Sequence, residues 1–202
     1  MAHDERADLA DLLQSLSEEQ WNAPSLCERW RVRDVVAHMV SYDDVTLPEV
    51  AGMVLRARLR PNRINAIGVS KAAELSTAEL LDRFRAHLTP PKLIGGFGGV
   101  IGLADGVIHH QDIRRPLGLP RSVPPDRLRF VLDFAVTSPA LPARRLRRGL
   151  RLVATDFDWS KGQGSEVRGP AESLLMASCG RRGVSAELTG EGQPVLRSRV
   201  DG

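Results

Sequence analysis

The residues best suited to chemistry lie between positions 105 and 112, in the stretch Asp-Gly-Val-Ile-His-His-Gln-Asp. Asp105 and His109 are four residues apart, so in a helix they share one face, about 6 Å apart along the axis. Such a pair can hold one ion, and a third ligand from another helix would complete an open zinc site with a free position for water or substrate. His38 lies far upstream in a helical segment. We therefore predict a metal site made of His38, Asp105 and His109.

The same residues also have an ordinary structural explanation. An Asp–His pair at i, i+4 is a common helix-stabilising ion pair, and two-ligand spacing often occurs by chance. His38 cannot be connected to that pair by spacing. Spacing alone therefore leaves open whether these side chains bind a metal or only pack.

Periodic apolar residues predict the helices that must position this site. The Ser76–Glu79 segment is a capping box, in which each side chain satisfies a free backbone N–H of the other residue. Pro and Gly residues mark where helices start and stop. The predicted helices cover residues 4–19, 32 to about 60, 76 to about 89, the segment with Asp105 and His109 up to about 116–118, and a helix starting at 124–126.

After a dense arginine cluster at 144–151 the apolar period changes from helical to alternating. We predict strands at 150–157, 165–168, 185–189 and 194–200, with a helix from Ala171 to about Gly180. The predicted fold class is α+β, mostly α: a helical bundle over residues 1–140 and a small C-terminal α+β domain over residues 146–202.

Composition excludes several classes of protein. Apolar residues make up 42% and charged residues 26%, as in a globular domain with its own core. No apolar run approaches the ~20 residues of a membrane helix, and the charged N-terminus does not resemble a secretion signal. We expect a cytoplasmic protein with no membrane partner. No Gly-x-Ser-x-Gly or phosphate-loop motif is present, and the Gly95–Gly99 segment predicts only a mobile loop.

Nucleic acid is not an expected partner. The formal net charge is only +3, and the arginine cluster contains no aromatic residue and belongs to no groove-reading motif. The two cysteines, Cys27 and Cys179, lie far apart, so a disulfide framework is not expected. Cys27 could be a reactive thiol, although a buried and inert cysteine is the more common case.

Two motifs resemble one known family. Residues 30–38, Trp-Arg-Val-Arg-Asp-Val-Val-Ala-His, resemble the W-x-V-R-D-V-x-A-H signature of the DinB-like, mycothiol-dependent maleylpyruvate isomerase family. Residues 105–112 resemble its second motif, E-x-x-x-H-x-x-D. The segments 166–182 and 190–192 are similar to the C-terminal domain of that family.

The resemblance implies a DinB-like four-helix bundle that binds Zn2+ or another divalent metal through His38, Asp105 and His109. Asp105 stands where the family often has Glu, so its side chain reaches about one methylene less far. His110 is a fallback ligand, although it points roughly 100° around the helix from His109. Asp112 is expected either to orient an imidazole or to pair near the helix end with an arginine.

The implied function is metal-dependent use of a low-molecular-weight thiol, mycothiol, in isomerase or S-transferase chemistry on a small electrophile. Two alternatives remain open. The protein could be a non-catalytic metal-binding stress-response bundle, or an interaction module whose histidines only pack. The sequence leaves the substrate, the true thiol and the choice between monomer and homodimer undecided.

Overall fold

The computed structural model describes residues 1–41, 43, 48–49, 52, 55, 66, 68–70, 72, 74–89, 99–139 and 141–202. They form two compact units, Met1–Pro120 and Arg121–Gly202. Within these residues no helix has both the length and the apolar character needed to cross a bilayer. The chain is mostly helical and has one small sheet, which confirms the predicted α+β, mostly α fold class.

Helices dominate the N-terminal unit. Its described helices are α1 (Ala2–Ser15), α2 (Glu18–Asn22), α3 (Val32–Val40), α4 (Thr77–Ala86) and α5 (Val100–Arg114). Helix α1 packs against α4 and α5, and α3 also packs against α4 and α5. The capping box at Ser76 and Glu79 forms as predicted, with the Ser76 N–H 2.8 Å from Glu79 Oε2 and the Glu79 N–H 3.2 Å from Ser76 Oγ.

The core of this unit comes from the apolar positions that the helical period picks out. Leu9, Leu13, Val35 and Phe84 are fully or almost fully buried in one cluster. Helix α5 is unusual because it is buried over most of its surface, including its polar residues. A Cβ at Gly106 would lie 3.0 Å from Cγ of Glu5, so glycine there allows α1 and α5 to approach closely.

Parts of two predictions fall outside the described residues. Helix α3 ends at Val40, and most of the helical continuation predicted up to about residue 60 is not described. Of the predicted Gly95–Gly99 loop, only Gly99 is described. Its φ of 81° lies in the left-handed region that glycine tolerates, and it precedes the first residue of α5.

The C-terminal unit contains α6 (Pro125–Thr137), α7 (Ala143–Leu146), β1 (Leu150–Ala154), β2 (Ser160–Gly162), β3 (Ser165–Gly169), α8 (Ala171–Ser178) and α9 (Gln193–Val200). The sheet order is β2-β1-β3, with β1 antiparallel to β2 and parallel to β3. The chain passes from one sheet edge to the other between Gly162 and Gly164. A Cβ at Gly164 would collide with the carbonyl oxygen of Gly149, so this short crossing depends on glycine.

Helix α6 belongs to the C-terminal unit, although the predicted bundle extended to residue 140. Helix α6 is part of this unit because it packs against α8. The division into a domain of residues 1–140 and a domain of residues 146–202 stays a prediction.

The strands predicted at 185–189 and 194–200 are wrong. Residues Val184–Glu187 form a 3-10 turn, and residues 193–200 form α9. Pro194 stands in the first turn of α9, where its fixed φ favours a helix start. The buried residues of α9 are Leu196 and Val200, which are four apart, so the burial follows a helical period and not an alternating one.

Candidate metal centre

The structure brings His38, Asp105 and His109 together inside the N-terminal unit. Asp105 Oδ1 lies 3.7 Å from His38 Nε2 and 3.4 Å from His109 Nε2. The two imidazole rings stand edge to face, with centroids 5.0 Å apart. The side chain of Asp105 is 30% exposed, while those of His38 and His109 are 8% and 11% exposed. The cluster is therefore buried on its histidine side and reachable from solvent at the carboxylate.

This donor set fits a zinc ion. Its candidate ligand atoms all lie within 4.8 Å of one another. Ligand atoms that share a tetrahedral zinc at bonds of about 2.0–2.1 Å lie roughly 3.3 Å apart. Two imidazole nitrogens and a carboxylate oxygen are also the donors of open zinc sites, which keep a fourth position for another ligand. The shorter Asp105 side chain does reach both imidazoles.

Asp112 orients one of the two imidazoles. Its carboxylate is fully buried, and its Oδ2 lies 2.9 Å from His109 Nδ1. In the neutral imidazole, a proton on Nδ1 shared with Asp112 leaves the lone pair of Nε2 facing Asp105 and His38. Carboxylates behind metal-binding histidines fix the tautomer in this way. This contact with His109 is the one that the expected orienting role of Asp112 requires.

His110 makes its contacts with residues outside the cluster of His38, Asp105 and His109. Its Nδ1 lies 2.9 Å from Oε1 of Glu5, and its Nε2 accepts a hydrogen bond of 2.8 Å from Arg114 Nε. Both Glu5 and His110 are fully buried. Because both ring nitrogens are engaged there, the fallback role as a metal ligand does not fit this geometry.

The charges of the cluster shift two pKa values. Burial alone would raise the pKa of Asp105, but the charge of His109 and the hydrogen bond from His38 hold it at about 2. Burial alone would lower the pKa of His109, but the charge of Asp105 and the hydrogen bond to Asp112 raise it well above 6.5. Without a metal, the positive imidazole of His109 therefore neutralises Asp105.

A buried ion pair that the sequence does not reveal also acts on Asp105. Arg6 and Asp43 form a 2.6 Å pair, with side chains 4% and 1% exposed, and the guanidinium lies 4.4 Å from the Phe84 ring centroid. Burial raises the pKa of Asp43 to about 6, although the charge of Arg6 and its hydrogen bond lower it. The charge of Arg6 also lowers the pKa of Asp105.

The connector between α2 and α3, residues 23–31, contacts both histidines of the cluster. The Cys27 thiol lies 3.0 Å from Asp112 Oδ2, and the Trp30 ring centroid lies 5.1 Å from that of His38. Sequence reasoning did not link Cys27 to the site, since 85 residues separate it from Asp112. Its position three residues before the motif at 30–38 was the signal that the sequence offered.

One family model matches the N-terminal part of the chain. Residues 2–92 match the family model described as the mycothiol maleylpyruvate isomerase N-terminal domain. The N-terminal part of the chain is therefore similar to the N-terminal domain of this family. The matched part of the chain includes Cys27 and His38 and ends before Asp105.

Two solved structures have a similar fold over nearly the whole chain. One is a crystal structure of the mycothiol-dependent maleylpyruvate isomerase, with a TM-score of 0.57 and 11% identity, covering 95% of this chain and 90% of that one. The other is a histidine-to-alanine mutant of a mycothiol-dependent maleylpyruvate isomerase, with a TM-score of 0.55, 12% identity and the same coverage. At this identity the likeness concerns the fold. No curated protein sequence matches the chain significantly.

Proposed function

We propose that this protein is a cytoplasmic zinc-dependent enzyme that uses mycothiol to isomerise a small electrophilic substrate. The observation that carries the proposal is the cluster of His38, Asp105 and His109, in which three metal-binding side chains converge and only the carboxylate is partly exposed. The similarity of residues 2–92 to the mycothiol maleylpyruvate isomerase N-terminal domain supports the choice of thiol. Transfer of the thiol to the electrophile is the second form of the same chemistry.

A zinc ion bound here would favour the deprotonated form of a thiol that occupies its open position. The protein itself supplies the environment for that chemistry. Asp112 holds the proton on Nδ1 of His109, so Nε2 presents a lone pair. The Trp30 ring packs beside His38, with the ring centroids 5.1 Å apart. Asp105, ionised at any physiological pH, is the anionic ligand.

In the proposed isomerisation, the thiolate sulfur forms a bond to one carbon of a conjugated cis double bond, and the π electrons move into the adjacent carbonyl. The former double bond is then single and can rotate. The electrons return, the carbon–sulfur bond breaks and the thiolate leaves, so the trans product forms with no net consumption of thiol. An S-transferase would stop after the addition and protonation of the adduct.

Turnover by the zinc-loaded protein tests this proposal. We expect cis-to-trans conversion of maleylpyruvate that requires mycothiol, with the total free thiol unchanged at the end of the reaction. Loss of one thiol per substrate consumed would indicate the transferase form. A protein that binds zinc but shows neither reaction with maleylpyruvate or related electrophiles would contradict the enzymatic proposal and support a non-catalytic metal-binding role.

Zinc affinity is expected to rise with pH. In the metal-free protein the pKa of His109 is raised well above 6.5, so zinc must displace a proton from this side chain. Asp105, with a pKa of about 2, is already ionised, so it does not contribute to the pH dependence of zinc affinity near neutral pH. We expect about a tenfold gain in affinity per pH unit below the pKa of His109, with about one proton released per ion.

The stability of the metal-free protein should follow the opposite trend. Folding raises the pKa of His109, so its ion pair with Asp105 contributes fully below the unfolded value of 6.5 and is lost as the pH rises through the folded value. Chelator competition for zinc and melting curves of the metal-free protein, both recorded from pH 6 to pH 9, measure the two trends. Zinc affinity that does not change over this range would show that His109 is not protonated before zinc binds.

A further inference from the structure

We propose that Cys27 is a positioning residue for the metal centre, acting on His109 through the carboxylate of Asp112. This inference rests on the proposed function, because the position it fixes is that of a metal-binding nitrogen. Neither the family match nor the motif spacing assigns a role to this cysteine. The structure assigns one because the thiol completes a chain of hydrogen bonds that ends at His109 Nε2.

The chain is short and partly buried. Cys27 Sγ donates to Asp112 Oδ2 over 3.0 Å, and the same oxygen lies 2.9 Å from His109 Nδ1. The sulfur is also 3.7 Å from that nitrogen. Asp112 is fully buried and Cys27 is half-buried, so the thiol closes this carboxylate off from water. A carboxylate held by two donors has little freedom to turn, and the imidazole it orients is held in the same way.

Hydrogen bonds of the connector 23–31 hold the Cys27 thiol next to Asp112. The N–H of Leu26 donates to the Asp112 carbonyl over 2.9 Å. Ser25 Oγ accepts from the N–H of Cys27 and donates to the Trp30 carbonyl, which ties the turn together. Arg29 has a φ of 70°, a left-handed conformation that is unfavourable for a residue with a side chain. The connector is therefore held to the end of α5 by a backbone hydrogen bond from Leu26 and a side-chain hydrogen bond from Cys27.

Distances alone give Cys27 a second role, because ligand atoms of Cys27, His109 and Asp112 lie close enough together to hold a metal ion. The hydrogen-bond geometry favours positioning. Oδ2 of Asp112 and Nδ1 of His109 are 2.9 Å apart and share a proton, and the thiol proton points to the same oxygen. A metal there would have to displace both protons.

Four variants separate positioning from simple packing. Cys27→Ser keeps a donor for Asp112, whereas Cys27→Ala and the bulkier Cys27→Val remove it. Cys179→Ala is the matched control, since Cys179 is a buried cysteine in the C-terminal unit. Zinc affinity is measured by chelator competition, and the tautomer and hydrogen bonding of His109 are followed by 15N NMR of the metal-free protein.

We expect Cys27→Ala and Cys27→Val to weaken zinc binding about tenfold, the low end of the effect of groups behind metal ligands. Cys27→Ser should recover most of that loss, and Cys179→Ala should match the parent protein. In the metal-free Ala and Val variants the Nδ1 signal of His109 should shift, and in the Ser variant it should stay near its parent position. Using two donorless variants keeps the comparison possible if one of them does not fold.

Two results would overturn the proposal. One is equal zinc affinity and an unchanged His109 signal in the parent protein and both donorless variants. The other is a cobalt-loaded parent protein with a near-ultraviolet sulfur-to-metal band that Cys27→Ser abolishes, which would make Cys27 a ligand. If the parent protein binds no zinc, the proposed function fails, and the NMR of the metal-free protein still decides the role of Cys27.

Discussion

Substitution of His109 by alanine is expected to abolish zinc binding, and His38→Ala should do the same. Each change removes one of three candidate ligands, and the remaining pair cannot enclose the ion. Changes to groups behind metal ligands already cost 10–100-fold in affinity, so loss of a ligand should cost more than about 100-fold. Elemental analysis of purified protein measures this directly, with about one zinc expected per parent chain.

His3→Ala is the matched control for these variants, because His3 is an exposed histidine on α1. It should retain the zinc content of the parent protein. Zinc retained by both His38→Ala and His109→Ala would refute the three-ligand site. No zinc in the parent protein, even after incubation with the metal, would leave a helical domain with packed histidines, the alternative that spacing alone left open.

Among the substitutions proposed for this protein, Glu5→Ala should lower the free energy of unfolding the most. The change leaves the Nδ1 of the fully buried His110 without its 2.9 Å contact to Glu5 Oε1 and opens a cavity between α1 and α5. An unsatisfied buried polar group costs about 1–3 kcal/mol, and the lost packing adds to that, so we expect about 3–5 kcal/mol in the free energy of unfolding. Urea unfolding followed by far-ultraviolet circular dichroism measures it.

Two variants set the scale for this result. Glu5→Gln retains an acceptor oxygen of nearly the same shape and should lose clearly less than Glu5→Ala. Asp11→Ala removes an exposed carboxylate from the same helix and should stay within about 0.5 kcal/mol of the parent protein. A Glu5→Ala protein as stable as Asp11→Ala would mean that the contact between Glu5 and His110 contributes little to folding.

The sequence predicted the elements that carry local signals. The capping box at Ser76, the proline start of α6 and the i, i+4 face of Asp105 and His109 are all set by residues close together in the chain, and all three appear in the structure. His38 and Asp105 were brought together by a family resemblance and not by spacing. The structure places His38 Nε2 3.7 Å from Asp105 Oδ1, while their role as metal ligands stays a prediction.

The parts that sequence reasoning missed depend on contacts between distant segments. Glu5 meets His110 across 105 positions, and Cys27 meets Asp112 across 85, and no local pattern encodes either pair. In the strand predicted at 194–200, the apolar residues Val195, Leu196 and Val200 fit several periods over so short a span. Packing of α9 against β3 and the 3-10 turn decides the outcome.

Two buried polar side chains of α5 have partners on other segments: His110 contacts Glu5 of α1, and Asp112 accepts a hydrogen bond from the Cys27 thiol of the connector. Polar pairs of this kind act as registration marks, because a buried helix with a uniformly apolar surface could rotate or slide at little cost. One residue of slip in α5 would take His110 away from Glu5 of α1 and Asp112 away from the Cys27 thiol at once. We therefore expect single-residue insertions between Gly102 and His109 to be far less tolerated than their small change in volume would imply.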